Sequence, residues 1–401
     1  MAEVAAAQSA RTLSSAAVLC CAYFAAIGLF NPYAPLWYQS LGLPMVAIGF
    51  MVSLQSWTRL FAPYAWGALA DRSGRRVQLI RLATVLTFVA GLGFLLPAHV
   101  ATLAIATFLM FTFNAAVVPL TETVVAAQLV TEGGGMDARK YGRVRVWGSV
   151  GFLVSVLLAG WWFEHFGMGY FAGTVLVLLA LVAVAAFRVP VRQTQQHAHE
   201  ETPPLASVMR RPEVRWFFAG VFLTVLAHCS IYAFFSLYLD SLGYSKPVVG
   251  ALWGVSVVVE IGWFAFQGRL LERGCLHRWL LAAALLSALR FGVTASLAFS
   301  LLALVLAQCA HALTFAAQHT ACIALVSRYF PGRLRGRGQA LYSVLGYGFS
   351  GVLGSVGGAW MVSAWGYPSV FWAATVAALL GAWCCWRSEQ LDLASRIDQP
   401  A

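Results

Sequence analysis

Long apolar runs follow one another along this chain, separated by short polar stretches. A membrane-crossing helix needs about 20 apolar residues. By that measure the pattern predicts twelve spanning helices, near 13–39, 44–69, 77–97, 100–130, 142–163, 169–188, 213–239, 246–271, 278–297, 299–327, 339–362 and 367–387. The longest runs must tilt or leave a turn outside the bilayer. The first run lacks a cleavage site and carries Asn31-Pro32, so it reads as a retained helix and not a signal peptide. Residues 189–212 break the pattern with Pro190, Pro203, Pro204, a Gln/His/Glu run and Arg210-Arg211. The expectation is an all-α membrane protein of two pseudo-symmetric six-helix bundles, 1–188 and 213–390. A cytoplasmic linker, 189–212, joins them, and a cytoplasmic tail, 391–401, follows.

An internal repeat supports the six-plus-six division. Leu36, Ser40, Leu41, Gly42, Gly49, Gly67, Leu69 and Arg72 recur 201 residues later as Leu237, Ser241, Leu242, Gly243, Gly250, Gly268, Leu270 and Arg273, and Asp71 recurs as Glu272. Two like halves of membrane helices in the same order are the build of a transporter that rocks one half against the other.

Composition agrees. The 401 residues are 60% hydrophobic and only 10% charged, against roughly a quarter charged in soluble domains. The net charge of +11 does not point to nucleic acid, because the basic residues fall in short loops. Arg72, Arg75, Arg76, Arg139, Lys140, Arg210, Arg211, Arg333 and Arg335 lie on one face, and only Lys246 lies on the other. That bias places both termini and the linker in the cytoplasm. The eight cysteines include no C-x-x-C pair and read as small apolar fillers, not metal ligands or disulfides. Gly348, Gly351, Gly354, Gly357 and Gly358 set a small-residue face on the eleventh run, suited to close helix packing.

The loop after the second run reads Gly67-Ala-Leu-Ala-Asp71-Arg72-Ser-Gly74-Arg75-Arg76. It resembles the cytoplasmic signature of the major facilitator superfamily, and Gly268 to Gly274 is a degraded second copy. Gly67 is expected to permit close helix contact and Gly74 a tight turn. The resemblance implies a conformational latch built from Gly67, Asp71, Arg72, Gly74 and Arg75; the alternative is that these charges only set topology.

Ionisable residues inside apolar runs are costly and mark function. They are Arg59, Glu122, Arg145, Glu260 and Arg290, with His228, His311 and His319. Arg59 and Glu260 each stand 12 residues before the loop acid, and so hold equivalent places in the two halves. Pro119-Leu-Thr-Glu122 and Tyr141-Gly-Arg143-Val-Arg145-Val-Trp147 to Phe152 resemble the lactose permease branch. The phenylpropionate permease type is closer still, through Asn31-Pro32, Pro35-Leu36-Trp37, Val259-Glu260, Arg290-Phe-Gly292 and His311. In the lactose permease pattern, the carboxylate matching Glu122 pairs with the arginine matching Arg145, and both engage substrate. An arginine fork suits a carboxylate or paired hydroxyls.

Two departures argue against a galactoside: Phe152 replaces a stacking Trp, and Thr314 replaces a proton-carrying Glu one turn after His311. Glu260 then becomes the best proton carrier, with Arg290, His311 and Arg59 as partners. Expected substrate contacts are Glu122, Arg145, Phe152, Trp37 and Asn31. Three intramembrane arginines against two glutamates favour an anion.

These readings predict a monomeric secondary transporter in a bacterial plasma membrane, importing a small organic solute such as an aromatic carboxylate with protons. No cofactor, metal or nucleic acid is expected, and no nucleophile constellation or nucleotide loop points to an enzyme. The alternatives are a sugar or nucleoside symporter, a drug or metabolite efflux antiporter, and a non-transporting membrane sensor.

Overall fold

The protein, in a computed structural model, is described over residues 2–129, 137–191, 205–271 and 275–397. The described residues contain no strand. They contain twelve helices long and apolar enough to cross a membrane, numbered here as spans 1 to 12: Gln8–Ser40, Met45–Ser73, Arg76–Leu95, Val100–Ala126, Lys140–Phe166, Met168–Arg188, Pro212–Ser241, Lys246–Gln267, Leu276–Leu297, Leu301–Tyr329, Arg335–Trp365 and Tyr367–Ser395. Each falls on one of the twelve apolar runs. Span 12 runs farthest past its expected end, because Arg387, Glu389 and Asp392 continue the helix beyond the apolar stretch. The proline-rich centre of the linker and the Glu272-Arg273-Gly274 repeat copy lie outside the described residues.

Two compact units form. Spans 1, 3, 4, 5 and 6 make most of the first, and spans 7, 9, 10, 11 and 12 most of the second. Each also takes one short segment from the other half of the chain. Ile48–Trp57 of span 2 belongs to the second unit, and Ser245–Ala251, which opens span 8, belongs to the first.

The repeat is reproduced at the level of single hydrogen bonds. Gly42 and Gly243 both turn left-handed, at φ 78° and 82°, which glycine does without a Cβ clash. The flanking bonds match, Leu43 N–H to Tyr38 O at 3.2 Å and Tyr244 N–H to Leu239 O at 3.1 Å.

Several spans are not continuous α-helices. Span 2 breaks after Arg59 and resumes at Ala62. Pro63 has no N–H to return to the Arg59 carbonyl, so the break falls at that arginine. Span 4 breaks in the same way between Asn114 and Val117, ahead of Pro119. Spans 10 and 11 widen into π-helices over Ala312–Ala317 and Ser343–Phe349, a distortion that often accompanies functional sites.

Small residues let helices meet backbone to backbone. In the first unit, Ser155 Oγ donates to Ala25 O at 2.6 Å and Tyr33 donates to Val156 O at 2.9 Å. A Cβ on Gly28 would stand 2.7 Å from Phe152 O. In the second unit, Gly354 and Gly358 of span 11 face Cys229 and Phe234 of span 7, whereas Gly357 faces open space. The glycine stripe is therefore only partly a packing face.

Candidate functional site

A polar network inside the membrane spans lies in the second unit, where spans 8, 9 and 10 each contribute. Arg290 of span 9 is 2% exposed. Its Nη1 reaches His311 Nδ1 at 3.1 Å and donates to Thr314 Oγ1 at 2.9 Å. Its Nη2 donates to Gln308 Oε1 at 2.6 Å, an oxygen that also accepts from Ser256 Oγ at 3.2 Å. The other face of His311 carries the chain onward: its Nε2 is 3.5 Å from Glu260 Oε2. Gln308, His311 and Thr314 are spaced by three along span 10, and Ser256 and Glu260 by four along span 8, so each set shares a helix face.

This geometry sets the histidine's protons. A guanidinium only donates, so His311 Nδ1 must be the acceptor and Nε2 must carry the hydrogen. Glu260 Oε2 is the carboxylate oxygen 3.5 Å from that nitrogen. An imidazolium has no acceptor nitrogen, so His311 can take a second proton only by losing Arg290. Glu260 is half-buried.

His228 and His319 fall elsewhere. His228 is buried, its Nδ1 2.8 Å from Thr224 O on its own helix and its ring edge-on to Phe291. His319 is half-buried and meets Tyr342 and Tyr347 of span 11.

In the first unit, Arg145 is half-buried and its guanidinium lies over the Phe24 ring at 4.3 Å. The expected direct pair with Glu122 does not form: among the described residues, no salt bridge within 4.0 Å joins them. Tyr141 instead donates to Glu122 Oε1 at 3.4 Å. The aromatic face of span 1 draws the guanidinium, so Arg145 keeps hydrogen-bonding capacity unspent.

Phe152 and Asn31 are half-buried. Trp37 is 4% exposed, stacked on Phe171 at 4.8 Å and edge-on to Phe94 at 5.5 Å. That enclosure makes it a core residue of its unit and not a ligand platform. Arg59 sits in the first unit and Glu260 in the second.

In the signature loop, Gly74 ends its helix at φ 66°, as a tight turn requires. Asp71 pairs with Arg76 at 3.0 Å. A Cβ on Gly67 would meet no atom within 4 Å, so close helix contact is not what this glycine provides. Arg72 and Arg75 are exposed.

Three further pairs were not expected from the sequence, which gave Arg211 only a topological role. Arg211–Glu213 closes at 2.7 Å and Arg278–Glu389 at 3.4 Å, and Arg328 pairs with Asp392. All three carboxylates are buried. The signal available was the acids themselves, set among basic residues at helix ends.

Comparison with known proteins places the chain. The MFS_1 like family matches residues 15–373. A protein of Escherichia coli (strain K12) named "Probable 3-phenylpropionic acid transporter" is 27% identical over 362 residues, covering 89% of this chain and 93% of that protein. The maltose permease of Geobacillus stearothermophilus is 25% identical over 364 residues, covering 89% and 90%. The crystal structure of the nucleoside transporter NupG shares the fold, with a TM-score of 0.82 at 14% identity over 94% of this chain and 99% of that one. With twelve apolar spans and a family match over most of its length, this chain belongs to the MFS_1 like family and is a multi-pass membrane transporter of the major facilitator superfamily, not an enzyme.

Proposed function

We propose that this transporter is a proton-coupled importer of a small aromatic carboxylate of the phenylpropionate kind, in a bacterial plasma membrane with both termini cytoplasmic. The observation that carries this reading is the chain Arg290–His311–Glu260. It sets an acid inside a membrane span against a histidine that cannot take its proton while Arg290 is engaged. Protonation of Glu260 removes its charge and weakens its hold on the His311 N–H; deprotonation restores it. That gives two states of one unit, selected by a proton.

Arg145 supplies the anion contact. It is a guanidinium inside a span with no ion-pair partner within 4.0 Å among the described residues, and its fork matches a carboxylate. Glu122, Phe152 and Asn31, on spans 4, 5 and 1, are the further substrate contacts. The likeness to the Escherichia coli protein supports an aromatic acid. The loop residues Gly67, Asp71, Arg72, Gly74 and Arg75 act as the latch, through the Asp71–Arg76 pair and the Gly74 turn.

The test is the pH of a lightly buffered suspension of de-energised cells producing the protein. Phenylpropionate should alkalinise the medium, and a galactoside and a nucleoside should not. Glu260→Gln should abolish the response, with empty-vector cells correcting for passive entry of the acid. A response equal to that of empty-vector cells would sink the proposal.

A further inference from the structure

Span 10 carries a second histidine node, built differently from the first. The rings of His311, Phe315 and His319 stack in sequence, at 4.9 Å and 8° and then at 6.2 Å and 12°. The phenyl ring keeps the two histidines out of a common hydrogen-bond chain. His319 Nδ1 lies 3.0 Å from the Tyr342 hydroxyl and 3.3 Å from the Tyr347 hydroxyl, and the two hydroxyls are 3.2 Å apart. Tyr342 stands at the edge of the span 11 π-helix and Tyr347 within it, so that distortion helps to bring both hydroxyls to one nitrogen. Behind Tyr342 lies the Cys322 thiol. Tyr232 of span 7 is within electrostatic reach of Tyr347, and His311 lies beyond Phe315.

The partners decide what each histidine can do. His311 faces a donor-only guanidinium and is held neutral. His319 faces hydroxyls, which donate or accept as they rotate. With His319 neutral, the Tyr342 hydroxyl donates to Nδ1. With His319 charged, Nδ1–H donates to the Tyr342 oxygen, and Tyr342 turns its own hydrogen away. The His319–Tyr342 hydrogen bond is kept in both states.

From this contrast we propose that His319 is a second proton-binding site, loaded and released in the transport cycle alongside Glu260. The inference rests on the proton-coupled carboxylate reading above and adds a stoichiometry. One proton per monoanion is electroneutral; two protons per monoanion carry one positive charge inward.

The experiment uses the purified full chain in proteoliposomes with labelled phenylpropionate. Two driving forces are imposed separately: an inside-alkaline pH gradient, and an inside-negative potassium diffusion potential at equal pH. The wild type should accumulate substrate beyond protein-free liposomes, which take up the neutral acid passively, under either force. His319→Gln, which keeps a hydrogen-bonding group beside the tyrosines, should respond to the pH gradient and lose its response to the potential. Wild-type accumulation under the pH gradient alone would overturn the second proton and leave the first reading standing. Potential-driven accumulation by His319→Gln equal to wild type would overturn the assignment to His319. No accumulation under either force would overturn both readings together. The wild-type arm needs no variant to fold.

Discussion

Gly49 and Gly250 stand 201 residues apart in equivalent places of the repeat, and each lies against the backbone of another helix. A Cβ on Gly49 would stand 2.5 Å from Ser355 O, and one on Gly250 2.6 Å from Val156 O. A carbonyl oxygen fixed in a helix cannot move aside as a flexible side chain can. Overpacking of this kind costs about 1–3 kcal/mol. Gly49→Val and Gly250→Val should each lower the melting temperature in detergent. Gly67→Ala, whose Cβ meets nothing within 4 Å, should leave it unchanged. Equal losses in all three would show that backbone contact is not the cause.

Arg290→Lys should reduce uptake about tenfold or more. Lysine keeps the charge but cannot hold His311, Thr314 and Gln308 at once. Each buried polar partner left unsatisfied costs about 1–3 kcal/mol, and 1.36 kcal/mol is a tenfold change in rate. Initial uptake rates, normalised to the amount of protein in the membrane, measure this. Uptake equal to wild type would show that the fork is dispensable.

Trp37→Ala should act on stability before it acts on affinity. The ring is enclosed by Phe171, Phe94 and Tyr38, and emptying such a site costs about 3–5 kcal/mol. Melting curves of Trp37→Ala and Trp37→Phe separate the two roles. A substrate contact would instead raise KM and leave the melting temperature in place.

Arg328→Ala should destabilise the second unit, because it removes the arginine paired with the buried Asp392 carboxylate. Breaking one side of a buried pair costs about 3–5 kcal/mol. The double variant Arg328→Ala with Asp392→Leu should recover much of the loss, since it removes the buried carboxylate as well. Thermal unfolding of the two single variants and the double gives the coupling.

Asp71→Asn should separate stability from transport. The Asp71 side chain is 60% exposed, and an exposed pair contributes about 0–1 kcal/mol. The melting temperature should barely move while the uptake rate falls. An unchanged rate would leave the loop with a topological role alone.

Sequence by itself determined the twelve spans, the repeat and the intramembrane charges. These are local properties: crossing a bilayer demands a run of apolar residues wherever it occurs, and a charge within such a run stands out without knowledge of its neighbours. Tertiary structure alone decided the partners. Arg290 and His311 are on different spans, and only the rotation and depth of those helices bring a guanidinium to Nδ1 and leave Nε2 for Glu260. The same rotations hide Trp37 in a core, set the Arg145 guanidinium over Phe24, and leave Gly67 facing open space. The π-helices of spans 10 and 11 were equally invisible, because a widened turn within an apolar helix is set by packing and not by composition. Residue spacing showed which side chains share a helix face; only helix packing showed what that face meets.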